Sequence, residues 1–163
     1  SEEQLPKLFE LIYALAPSEA SGAAKLALRR FPENATLLLV IIKHTTDPLF
    51  LPLVRASCKN TLPAVRHESL NALGRLGDLQ DKAQLIHTLN SDTWLNQQAA
   101  AHSLMNILNE PTAAQAIMSV LTTESARLHW SELLFHKGWL ALEIESIWVC
   151  SDTTPRVQVA YDG

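Results

Sequence analysis

The apolar positions of this chain form short helical stripes separated by Pro, Gly and polar turns. From Gln4 to Leu15, Leu5, Leu8, Phe9, Ile12 and Leu15 fall at i, i+3, i+4, i+7 and i+10, which lines one face of a helix. Pro17-Ser18-Glu19 opens a second helix ending near Arg30, Pro32-Glu33-Asn34 a third running through His44, and Thr46-Asp47-Pro48 a fourth through Cys58. Proline suits these openings because the first helical turn has no intrahelical use for the N–H it lacks. Thr61-Leu62-Pro63 begins a fifth helix whose apolar face is Val65, Ser69, Ala72, Leu73 and Leu76. Gly77-Asp78 ends it, with Gly77 suited to a left-handed residue after the helix. Residues 79–89 predict a sixth helix, and the turn Asn90-Ser91-Asp92-Thr93 supplies a Ser or Asp cap for a seventh over 94–108. Residues 111–121 predict an eighth, and 124–137, closed by Gly138, a ninth. Connections of two to four residues set neighbouring helices antiparallel.

These helices repeat. Those beginning near Glu33, Leu62, Trp94 and Glu124 start 29 to 32 residues apart, with a shorter helix between each consecutive pair. A shift of 31 superposes Leu38 on Ser69 and Ala100, Ile41 on Ala72 and Ser103, and Ile42 on Leu73 and Leu104. A helix-pair period in this range predicts an all-α, right-handed α-α superhelix, a solenoid of about four pairs, in which each pair buries its apolar face by stacking on the next.

The stretch Pro63-Ala64-Val65-Arg66-His67-Glu68-Ser69-Leu70-Asn71-Ala72-Leu73-Gly74-Arg75-Leu76-Gly77-Asp78 resembles the second helix of a HEAT repeat, in particular the short bacterial, phycobilisome-lyase type. Asp92 to Ala100 keeps the turn Asp and the small residues of that pattern but has Asn96 where Arg is usual. The resemblance covers residues 18–138. It implies that Arg66 bonds the turn Asp of a neighbouring repeat, with Asp92 and Asp47 as the two partners open to it.

Residues 1–138 thus read as a helical repeat domain and 139–163 as a C-terminal cap. Two forms of that cap stand open. Asp152-Thr153-Thr154-Pro155-Arg156-Val157 matches the Thr61 turn at a shift of 92, as a truncated further repeat would. Leu140, Leu142 and Ile144, then Val157, Val159 and Tyr161, alternate as the strands of a β-hairpin would, 141–149 against 156–161.

Composition supports a folded helical chain and excludes several function classes. Of 163 residues, 47% are hydrophobic and 18% charged, a balance unlike that of disordered chains, and aromatics at 6% favour helix over sheet. A net charge of −4 provides no global attraction to phosphate backbones or anionic lipid. The longest apolar run, Leu37 to Ile42, is far short of the roughly 20 residues that span a bilayer. A start at Ser1-Glu2-Glu3 without Met reads as an excised domain or processed product. Cys58 and Cys150 form no CxxC and favour a reducing, cytoplasmic compartment. They occupy equivalent positions three periods apart, too distant for a disulfide, so both are expected to be free and buried.

No catalytic or cofactor motif emerges: GxGxxG, GxxxxGK(S/T) and GxSxG are all lacking. His129, Glu132 and His136 share one helical face, but i to i+7 separates the two imidazoles by about 10 Å along the axis, too far for one ion. They read as a partly exposed polar face with a Glu132-His136 pair, and no metal or cofactor is expected. More informative are the repeat-equivalent positions of the second helices, which line the concave face in HEAT-like arrays. Steps of 31 give Thr36, His67, Gln98 and His129; one turn on, Val40, Asn71, His102 and Leu133; another turn on, His44, Arg75, Asn106 and Lys137. All are expected to be exposed, the last row is basic, and acidic residues are nearly lacking. Such a groove suits an acidic or hydrogen-bonding peptide surface, and the first expectation is a non-catalytic interaction or scaffold domain with a protein partner. Two alternatives follow from the resemblance: a nucleic-acid-binding HEAT-like DNA-repair enzyme, against which the net charge argues, and a chromophore-lyase or chaperone-like subunit.

Overall fold

The computed structural model of the chain describes residues 2–108, 114 and 117–138. Among them the protein is all-α. Its α-helices are α1 (Leu5–Leu15), α2 (Pro17–Arg30), α3 (Ala35–His44), α4 (Leu51–Ser57), α5 (Pro63–Leu76), α6 (Lys82–Ser91), α7 (Trp94–Ile107) and α8 (Glu124–His136). Of the helix expected over 111–121, Ala114, Ile117 and Met118 are helical, and the remainder falls largely outside the described residues. The expected cap at 139–163, with Cys150, Trp139 and Trp148, lies outside them as well. No helix among the described residues is long and apolar enough to cross a membrane.

Local chemistry accounts for the starts and stops. Pro17 stands at the head of α2 and Pro63 at the head of α5. Asn34 Oδ1 accepts from the Leu37 N–H at 2.9 Å, and Thr123 Oγ1 from that of Ala126 at 3.1 Å, satisfying donors that have no intrahelical acceptor. The fourth and sixth helices differ from expectation in beginning with 3-10 turns, Pro48–Phe50 and Leu79–Asp81. Asp side chains draw these turns tight: Asp47 accepts from Leu49 at 2.9 Å, and Asp78 accepts from Gln80 at 2.8 Å while Asp81 accepts from the Asp78 N–H at 3.0 Å. Gly77 is a correction. It is extended (φ −76°, ψ 175°), not left-handed. A Cβ there would stand 2.5 Å from the Leu73 carbonyl oxygen and 2.7 Å from Asp81 Oδ2, so glycine is required for space. Gly138, after α8, does take the positive φ, 69°.

Packing alternates along the chain. α1 packs on α3, α3 on α5, α5 on α7 and α7 on α8, while α4 packs on α5 and α6 on α7. The smaller of two buried clusters joins Phe9, Ala24, Leu37, Val40, Ile41 and Phe50. The larger runs from Ile42 through Leu73, Leu104 and Ile117 to Trp130 and Leu134. Adjacent residues of α3, Ile41 and Ile42, thus serve different clusters, which is how one helix joins two neighbours. The α5–α7 contact is close because Gly74 faces Ser103, whose Oγ donates to the Leu70 carbonyl at 2.6 Å.

Candidate functional site

Two arginine–aspartate links tie successive helix pairs, each across 26 residues of sequence. Arg66 donates from Nε and Nη2 to the two Asp92 carboxylate oxygens, both at 2.8 Å. Its Nη1 also donates to the carbonyls of Asn60 and Thr61, at 3.0 and 3.2 Å. Of the two partners open to Arg66, Asp92 is the one it holds. The Arg66 bonds lower the Asp92 carboxyl to about 2, outweighing burial, and the Thr93 N–H and Asn96 amide contribute. Arg55 grips Asp81 in the same forked manner, at 2.7 and 3.0 Å, and reaches Asp78 at 3.4 Å. Burial raises the Asp81 carboxyl, but the bonds from Arg55 and the Asp78 N–H outweigh it and leave it below its ordinary value. Sequence reasoning missed Arg55, although the shared 26-residue separation was a signal in plain view.

The three rows of repeat-equivalent residues do not all face solvent. His67, Asn71, Gln98 and His44 are half-buried, and Thr36, His102, Arg75, Asn106 and Lys137 are exposed. Val40, Leu133 and His129 are buried, which corrects the expectation that all were exposed. His129 is only 5% accessible, and the Trp94 ring meets it edge-on, centroids 5.5 Å apart. Arg75 requires a second correction. Its Nη2 donates to the Ile42 and Lys43 carbonyls at 3.1 and 3.0 Å, so the guanidinium caps the C-terminal end of α3. The basic row therefore has less free positive charge than its sequence suggests.

Gln98 and His102 of α7 meet His129, Glu132 and His136 of α8 around a concavity of about 280 Å³, with Ala101 and Leu133 as apolar wall. His44, His67, Asn71, Arg75, Asn106 and Lys137 lie outside it. Glu132 and His136 both line it but form no ion pair, and no group of three His, Cys, Asp or Glu among the described residues is placed to hold a metal ion. Three of the row histidines share a feature that sequence could not reveal. His44 Nε2, His67 Nδ1 and both ring nitrogens of His129 are buried without a hydrogen-bond partner among the described residues. His44 is stacked on Tyr13, centroids 5.7 Å apart.

A second concavity, about 350 Å³, adjoins the Arg66–Asp92 pair and includes Cys58, His87 and Ser91. Cys58 is free and buried, and burial pushes its thiol up to about 12, which leaves it protonated and unreactive at neutral pH. Of the tryptophans, Trp130 is core, its Nε1 donating to the Ala114 carbonyl at 3.1 Å, whereas Trp94 is 56% exposed. No protein-family model, curated protein or solved structure matches this chain.

Proposed function

We propose that the chain is a HEAT-like α-solenoid, a right-handed superhelix of about four helix pairs, that binds a protein partner along the face carrying its repeat-equivalent rows. The observation that carries this reading is the set of polar row side chains that keep accessible surface on neighbouring helices: Thr36 of α3, His67 and Asn71 of α5, and Gln98, His102 and Asn106 of α7. A polypeptide laid along the rows meets their hydroxyl, amide and imidazole groups with its own backbone donors and acceptors. The solenoid reading is supported by inter-helix bonds that span about one repeat length: Arg75 to Ile42 and Ser103 to Leu70 each span 33 residues, and Asn90 to Val120 spans 30. Duplex nucleic acid is the poorer partner, because Arg75 is held by α3 and leaves Lys137 as the cation of the rows.

Panning a displayed random-peptide library against the protein tests the reading. Enriched peptides are expected to bind the double variant His67→Ala, Asn71→Ala at least tenfold more weakly, since both side chains are half-buried on the rows. Equal binding to the folded double variant, or no enrichment over a blank surface, overturns it.

A further inference from the structure

We propose that the chain's own residues 139–149 dock on the outer face of α8, over Leu128 and Phe135; the peptide-binding reading above is not needed for this. The array itself marks the face. Arg66 of α5 reaches forward to Asp92, just before α7, and Gln97 of α7 accepts from Ser125 of α8 at 2.8 Å. A shift of 31 carries Arg66 onto Gln97, and a further 31 carries Gln97 onto Leu128. Seven residues on, and so on the same helical face, stand Leu73, Leu104 and Phe135, with Ile42 one period earlier. Ile42, Leu73 and Leu104 are fully buried in the cluster that runs from helix to helix. Leu128 and Phe135, in the matching places on α8, are 51% and 64% exposed. The last described helix thus keeps an apolar forward face of the kind that is buried on α3, α5 and α7.

Three features select the occupant. Residues 139–149 carry Trp139, Leu140, Leu142, Ile144, Ile147 and Trp148 against two charges, Glu143 and Glu145. A run so apolar needs cover, since soluble proteins seldom leave a large contiguous apolar patch in water. Gly138 then sets its direction. With φ at 69°, its N–H donates to the Phe135 carbonyl at 2.9 Å, the pairing of a helix end in which the next residue, here Trp139, commonly packs back on the last turn. Finally, a segment joined to α8 at Gly138 meets that face at an effective concentration of about millimolar, far above that of a second copy in dilute solution.

The test places p-benzoylphenylalanine at position 135 of the full chain and maps the photo-adduct by mass spectrometry. The expected crosslink joins position 135 to residues 142–149 of the same chain. A crosslink to a second copy, or only to residues outside 142–149, overturns the docking. Hydrogen exchange gives a second measurement. Amides of residues 139–149 are expected to exchange about tenfold or more slowly than in the free peptide of that sequence. Phe135→Asp, at an exposed position, is expected to abolish the difference while α1 to α6 keep their protection. Leu95→Asp, a matched change at another exposed apolar residue, is expected to leave it in place. Free-peptide rates in the unaltered protein, or slow exchange that survives Phe135→Asp, overturn the proposal.

Discussion

Asp92 shows what single residues contribute to this molecule. Its carboxyl is held at about 2, first by Arg66, against the pull of burial, with the Thr93 N–H at 2.7 Å and Asn96 at 3.1 Å assisting. A carboxyl lowered in the folded state adds stability above its unfolded value, near 4, and loses it as pH falls toward the folded value. Asp92→Asn is therefore expected to cost about 1 kcal/mol at pH 7, after discount for the solvent the pair still meets. Urea unfolding from pH 7 to pH 2 should show the wild-type and variant curves converging over the acid end of that range; a constant gap contradicts the ion pair. Arg66 was legible in the sequence because it sits in a recognisable Pro-x-Val-Arg turn. Arg75 was not, because its partners are backbone carbonyls, which every residue has. The burial of His129 was not legible either, because packing from another helix, which brings the Trp94 ring beside it, leaves no local sequence signal.

Helix starts were legible at two of the prolines and not elsewhere: Pro32, expected to open α3, stands outside it, and in place of the Ser or Asp cap expected for α7 stands Thr93 without a side-chain cap bond. α2 begins at Pro17 and α5 at Pro63, and both run to the residues expected. The 3-10 openings before α4 and α6 were not legible, because helix period and a tight Asp-capped turn place the same residues at nearly the same positions. Glycine gives a paired test of packing between elements. At Gly74 a Cβ would stand 2.7 Å from Ser103 Oγ and 2.9 Å from its Cα, so Gly74→Ala must push α5 from α7 and is expected to lose about 1–3 kcal/mol. At Gly22, inside α2, a Cβ meets nothing within 4 Å, and Gly22→Ala is expected to gain about 0.5–1 kcal/mol. Denaturant midpoints measure both, and a stabilised Gly74→Ala contradicts the close α5–α7 approach.

At the scale of the whole molecule, the helix order α1, α3, α5, α7, α8 in successive contact puts the repeat-equivalent rows on helices that neighbour one another. Periodicity put α3, α5, α7 and α8 in equivalent positions but did not place α1 or show which row members face solvent, since a helix in an array is covered on several sides and apolar spacing alone does not count its neighbours. α1 makes the same point: five apolar positions define its stripe, yet Leu8 is 49% and Leu15 82% exposed, while Phe9 is buried against the smaller cluster. The central claim is that a polypeptide lies along the rows, and backbone hydrogen exchange of the protein with and without a library-selected peptide tests it most directly. New protection is expected on α3, α5, α7 and α8 around His44, His67, Gln98 and His129, with α2, α4 and α6 unchanged. Protection confined to α2, α4 and α6, or no change at saturating peptide, contradicts the account.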